Sequence, residues 1–127
     1  MAKQLIETDQ APLPGGAYSQ GLRAGDFVFV SGQVGIDPST GELAGDTIEL
    51  QTAQTLANVR AILAKAGAGM EDVVKATVHL RDLALFPPFN AVYAEQFPDP
   101  KPTRTTVGSQ LGDVLVEIDV IAFVGER

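Results

Sequence analysis

Two stretches near the carboxyl end alternate apolar and polar positions and are rich in β-branched residues. They are Pro102-Thr103-Arg104-Thr105-Thr106-Val107 and the run from Val114 to Phe123. Both read as strands, and the short Gly108–Asp113 connection predicts that they pair with each other. Phe27 to Ser31 is a short, continuously apolar run and predicts a buried strand, with Gly32 to Ile36 continuing or bulging it. Val73 to Leu80 predicts another strand, with Val74, Ala76, Val78 and Leu80 on one side. Between these runs the period changes. A helix is expected from about Thr47 to Ala66, with Asp46 and Glu49 as a capping box and Gly67 and Gly69 as its stop. Leu50, Ala53, Leu56, Ala57, Leu63 and Ala66 mark its apolar face. A second helix should begin near Pro87 or Pro88, because proline suits the first helical turn, and Phe89, Val92, Tyr93 and Phe97 share a helical spacing. Residues 9–20 read as an ordered Pro- and Gly-rich loop, and Asp37 to Glu42 as a turn.

The order β-β-β, α, β, α, β-β predicts one α+β domain over residues 1–127, a mixed β-sheet with both helices on one face. The other sheet face still carries apolar residues, and in so short a chain self-association is the simplest cover. Composition narrows the partners. There is no cysteine, so disulfides and thiolate chemistry are excluded, and a net charge of −7 disfavours nucleic acid. No apolar run has the length of a membrane span and the amino terminus lacks a signal-peptide pattern, so the expectation is a cytoplasmic protein that engages no membrane. The single histidine, His79, reads as structural or solvent-facing and is too few ligands for zinc, so no metal is expected.

The chemistry rests on Arg104 and Glu117, two charges planted in apolar strands. A charge there is costly unless it is paired or used. A guanidinium fork grips a carboxylate through two parallel hydrogen bonds, and a nearby Glu can handle a proton or a water molecule. The two side chains fit a small cofactor-free site for a carboxylate substrate. They also fit a structural ion pair between neighbouring strands, and the residues alone leave both readings open.

Several segments, in order, add to this reading. They are Ala11-Pro12 with Gly16-Ala17-Tyr18-Ser19-Gln20, Val30-Ser31-Gly32-Gln33, Gln51-Thr52 with Asn58, and Asp72 to Val78. Phe89-Asn90-Ala91-Val92-Tyr93 with Phe97 follows, then Pro102-Thr103-Arg104, Val116-Glu117-Ile118 and Ile121-Ala122. In this set the chain resembles the RidA/YjgF-type reactive intermediate deaminases over essentially its whole length. The resemblance implies a chorismate-mutase-like fold and a homotrimer with sites between subunits. It implies hydrolysis of reactive 2-imino or 2-enamino acids, released by pyridoxal-phosphate enzymes, to 2-keto acids and ammonia. That is a 2-iminobutanoate/2-iminopropanoate deaminase-type, metabolite-damage-control activity with no cofactor and a small 2-imino acid as substrate.

Carried onto this chain, the resemblance makes Arg104 the holder of the substrate carboxylate and Glu117 the group that orients or activates water. Tyr18 and Asn90 would add a phenol and an amide to the pocket. Ser31 and Gly32 would shape its wall, and Thr106 would contribute its backbone. Gly16-Ala17-Tyr18 stands where the family has Gly-Pro-Tyr, and Leu111-Gly112 where it has Leu-Pro. Two alternatives accompany this reading. One is a non-catalytic module of the same fold that binds or senses a small carboxylate. The other is an RNA-cleaving translation inhibitor, which the acidic charge disfavours.

Overall fold

Alternating burial makes the sheet one-sided. The computed structural model describes residues 2–126. Its strands are β1 (Gln4–Ile6), β2 (Gly21–Ala24), β3 (Phe27–Gln33), β4 (Ile36–Asp37), β5 (Glu42–Leu43), β6 (Val73–Leu80), β7 (Thr103–Gly108) and β8 (Val116–Phe123). The helices are α1 (Ile48–Lys65) and α2 (Phe86–Gln96). Six strands form one mixed sheet in the order β1-β2-β3-β8-β6-β7, while β4 and β5 pair apart from it. Val28 and Val30 of β3, Ala76, Val78 and Leu80 of β6, and Val116, Ile118, Val120 and Ala122 of β8 point to one face and are buried. Leu56, Val59, Ile62 and Leu63 of α1 and Phe89 and Tyr93 of α2 close that core.

The opposite face is open. Phe27, Phe29 and Phe123 are 42%, 41% and 37% exposed on it, so the Phe27–Ser31 run is half buried rather than continuously so. This bears out an apolar sheet face without a cover in the single chain.

The expected hairpin between the last two strands does not form. β7 pairs in parallel with β6, and α2 is the crossover that a parallel pair requires. β8 instead runs antiparallel between β3 and β6. The compositions explain the choice. Val116, Ile118, Val120 and Ala122 are all buried and suit a central strand, whereas the Thr-rich β7 is mostly exposed and takes the edge. β6 therefore lies between Arg104 and Glu117.

Helix α1 also differs in detail. Its cap is Thr47, not Asp46: Thr47 is extended and its hydroxyl accepts from the Leu50 N–H at 3.2 Å. Gly67, at φ +77, ends the helix in the left-handed conformation, with Ala68 N–H on Leu63 O and Gly67 N–H on Ala64 O, a Schellman closure. Leu56 and Leu63 face the core as expected, but Leu50 is 51% exposed, and Ala53 and Ala57 are exposed too. The helix is rolled so that polar side chains go inward, where they satisfy loop backbone. Gln51 donates to Gly45 O and accepts from Leu115 N–H, and Asn58 donates to Val34 O and Ile36 O. In β6 a bulge at Val74 turns that side chain outward and puts Val73 in the core instead.

Candidate functional site

Arg104 lies opposite Ala76 in the β6–β7 ladder, which places it on the helix-covered face at the edge of the sheet. Helix α2 is built to receive it. The prolines at 87 and 88 fix the first turn, and the spacing of Phe86, Phe89 and Tyr93 stacks three rings along one side. The Arg104 guanidinium carbon sits 4.7 Å from the Tyr93 ring centroid, 5.3 Å from that of Phe86 and 6.0 Å from that of Phe89. These are cation–π distances. Its Nη1 donates to Asn90 Oδ1 at 2.8 Å. Lys101 caps the end of α2 by donating to Ala94 O and Phe97 O. Asn90, Tyr93, Ala94, Lys101, Pro102 and Arg104 line a cleft of about 370 Å³. Burial pushes the Tyr93 phenol above its ordinary range, and Arg104 pulls it partly back. Thr106 follows Arg104 on the same face, half-buried, with its hydroxyl among the buried polar atoms that have no partner among the described residues.

Glu117 faces the other way. It lies opposite His79 in the β6–β8 ladder, on the open face. The β3–β8 register shifts between Val30 and Gln33, so the bulge anticipated after Ser31 is present and brings Gly32 against Glu117. A Cβ on Gly32 would lie 2.6 Å from Glu117 Oε2 and 2.9 Å from its Cδ, so the missing side chain is the space the carboxylate occupies. Ser31 fastens the neighbouring loop: its Oγ donates to Ser19 O at 2.6 Å and its N–H to Gln20 O at 3.1 Å. That loop carries Tyr18, which is 53% exposed and whose hydroxyl accepts from Gly15 N–H at 3.2 Å. Tyr18, Ser31, Gly32 and Glu117 line a cavity of about 310 Å³. A second hollow of about 500 Å³ shares Tyr18, Ser31 and Gly32 and runs on past Leu22, Phe29 and Ile121.

The predicted residues thus fall into two groups. Arg104 meets Asn90, and Glu117 meets Tyr18, Ser31 and Gly32. Within one chain the groups are on opposite faces of the sheet. The expected pairing of the Arg104 and Glu117 strands is corrected, and so is the structural ion pair: the ion pair formed among the described residues is Lys101–Asp99.

Sequence reasoning placed Phe89 and Tyr93 in the core, where they are, but missed that with Phe86 they also form the bed for Arg104. The interleaving of Asn90 among those rings at helical spacing was the available signal. It also missed Gln20, almost fully buried, whose amide binds Thr8 N–H, Thr8 O and Pro12 O and so fixes the Tyr18 loop. Among the described residues no helix is long and apolar enough to cross a membrane, and no cluster of three His, Cys, Asp or Glu side chains is placed to hold a metal.

Comparison with known proteins agrees with this fold. A family model described as Endoribonuclease L-PSP matches residues 8–124. A RutC family protein of Pyrococcus abyssi is 49% identical over 125 residues, covering 97% of this chain and 98% of that one. The chloroplastic Reactive Intermediate Deaminase A of Arabidopsis thaliana is 41% identical over 122 residues, 94% of this chain and 65% of its own. The crystal structure of RidA from the Antarctic bacterium Psychrobacter sp. matches with a TM-score of 0.91 at 38% identity, covering 95% of this chain and 99% of that one. With the mixed sheet, its two helices and the family match in hand, the chain belongs to the RidA/YjgF family.

Proposed function

We propose that the protein hydrolyses small 2-imino acids, and their enamine tautomers, to 2-keto acids and ammonia, without a cofactor, at sites completed between copies of the chain in a homotrimer. The observation that carries this reading is the division of the site. A carboxylate-gripping half, Arg104 with Asn90, stands at one sheet edge, and a water-handling half, Glu117 with Tyr18, Ser31 and Gly32, stands on the open face. Each half is chemically incomplete. A second copy seated against the open apolar face would bring one half to the other and cover the exposed Phe27, Phe29 and Phe123.

Arg104 would hold the substrate carboxylate and so fix the adjacent imine carbon. Glu117 would take a proton from water as the oxygen bonds to that carbon. That proton is passed to the nitrogen, the C–N bond breaks, nitrogen leaves as ammonia with the bonding pair, and the hydroxyl gives up its remaining proton as the carbonyl forms. The matched family's description names ribonuclease chemistry, but nine Lys and Arg against sixteen Asp and Glu give this chain little to hold a phosphate backbone.

The test is complementation. A dehydratase generates the imine in situ, and keto acid is measured against a buffer control. Arg104→Ala and Glu117→Gln chains are each expected to be inactive alone. Unfolded together and refolded as mixed assemblies, they should regain activity, because some interfaces then carry both wild-type groups. Light scattering should give a mass about three times 13.4 kDa. A monomer, or mixed assemblies as dead as the parents, would overturn the shared-site reading.

A further inference from the structure

The Glu117 half of the site does not end at Glu117. The hollow of about 500 Å³ that shares Tyr18, Ser31 and Gly32 with the Glu117 cavity continues along β3 and β8 and holds a second carboxylate, Asp119. Asp119 is two residues from Glu117 on the same strand, so both side chains stand on the open face, roughly 6.5 Å of strand apart. The proposed hydrolysis uses Glu117 and leaves Asp119 without a task.

Asp119 has no close partner within the chain either. Thr77 stands directly opposite it in the β6–β8 ladder, and His79 and Lys75 stand one pair further along on either side. Such diagonal neighbours are about 7–8 Å away. Both attract the Asp119 carboxyl from that distance, yet it makes no hydrogen bond or ion pair among the described residues. On the side away from Glu117 the strands set a row of apolar side chains. Leu22 of β2 is opposite Phe29 of β3, and Phe29 is opposite Ile121 of β8. All three line the hollow and keep water from that flank of Asp119. Burial is the largest influence on this carboxyl and disfavours its charged form, so at neutral pH the fold gains nothing from a charge here. A half-buried carboxylate that costs the fold and lacks a close partner is placed to take one from outside.

The kind of partner follows from the span. On the reading above, the imine carbon lies beside Glu117 and the substrate carboxylate is held by Arg104 of a second copy seated over this face. The substrate side chain then has the hollow to occupy, and meets Asp119 after roughly 6–7 Å. A stem of three or four methylenes ending in a cation, as in the side chains of Arg and Lys, covers a distance of that order. The chain's net charge of −7 favours the approach of such a cation.

We propose that Asp119 is a specificity-determining residue, which selects 2-imino acids whose side chain is an alkyl stem ending in an ammonium or guanidinium by pairing with that cation. The proposal rests on the deaminase reading and names the substrate class within it.

In the experiment, an amino-acid oxidase with catalase makes two imines of similar stem in situ, one from arginine and one from norleucine. Keto acid formation is measured against a buffer control, with 2-iminobutanoate as the reference substrate. A hydrogen bond to a charged group is worth about tenfold to a hundredfold in kcat/KM, so wild type should favour the arginine-derived imine by that factor. Asp119→Asn keeps the shape and drops the charge. At wild-type assembly mass, it should lose about that factor on the arginine-derived imine and stay within about threefold on the norleucine-derived one. A wild type active on 2-iminobutanoate but without preference for the arginine-derived imine overturns the proposal, and so does an Asp119→Asn loss equal on both imines, which would mark Asp119 as a contact between copies. In both cases the deaminase reading stands. A wild type no faster than buffer on all three imines overturns that reading as well.

Discussion

Replacing Arg104 separates catalysis from folding, and the surroundings of the guanidinium set the size of each effect. One N–H is engaged by Asn90 Oδ1 at 2.8 Å, which leaves the rest of the fork for a ligand. The ring stack beneath it is closest at Tyr93, 4.7 Å away. For folding, Arg104→Ala removes one hydrogen bond at an exposed site and cation–π contacts worth about 0.5–1 kcal/mol, a total of about 1–2 kcal/mol. Among the described residues Arg104 makes no ion pair to lose, so the variant should assemble as wild type and melt only several degrees lower. For catalysis, a bidentate pair to a desolvated carboxylate is worth about 2–5 kcal/mol, which is roughly 30-fold to several thousandfold in kcat/KM. Arg104→Lys keeps the charge but can neither fork nor lie flat on the Tyr93 and Phe86 rings, so it should lose nearly as much as Arg104→Ala. The assay is keto acid formation from 2-iminobutanoate or 2-iminopropanoate made in situ, with melting curves on the same samples. If Arg104→Ala keeps wild-type kcat/KM, Arg104 is a structural member of the edge strand and the deaminase reading falls. If Arg104→Lys alone keeps it, charge matters and the fork does not.

Two further changes test the other half of the site and the open face. Gly32→Ala puts a methyl where Glu117 Oε2 now lies, 2.6 Å from the new Cβ, so the half-exposed carboxylate must swing away. Activity should drop about tenfold to a hundredfold with little loss of stability, and a variant with undiminished kcat would show that Glu117 is not needed where it sits. For Asp119, burial raises the folded-state carboxyl above its unfolded value, so the fold favours the protonated form. Its stabilising contribution is full below the unfolded pKa of about 4 and is lost as pH rises through the raised value. Asp119→Asn should therefore resist urea better than wild type at pH 7, with the advantage closing below about pH 4. A variant weaker than wild type at pH 7 would mean that attraction to His79 and Lys75 outweighs burial.

Local chemistry was legible in the sequence, and the arrangement of strands was not. The Phe89/Tyr93 period, the prolines that start α2, the glycine that ends α1 and the bulge near Gly32 all depend on neighbours within a turn or two. The pairing of β7 does not. A short connection favours a hairpin, yet the central place went to the strand that could bury Val116, Ile118, Val120 and Ala122, and the Thr-rich strand was left at the edge. The face of α1 was misread for a related reason. Hydrophobicity alone turned Leu50, Ala53 and Ala57 inward, while buried loop carbonyls required Gln51 and Asn58 there instead. Single residues of the site were found one by one, but their division between two faces follows only from the strand order.

That division has a consequence for how activity and assembly are joined. Arg104 cannot approach Glu117 of its own chain without crossing β6, and the ladders on both sides of β6 hold that separation. Under the proposed reading, an isolated chain therefore has every functional group and no site. The same exposed rings that make the lone chain a poor end point, Phe27, Phe29 and Phe123, are the driving force for the contact that would complete it. Oligomerisation then serves as more than cover for an apolar face. Dilution or an interface substitution such as Phe29→Asp should abolish kcat while each half keeps its own hydrogen bonds, Arg104 to Asn90 and Ser31 to Ser19. A catalytic arginine on an edge strand would in this way be kept apart from its carboxylate until the right partner is in place.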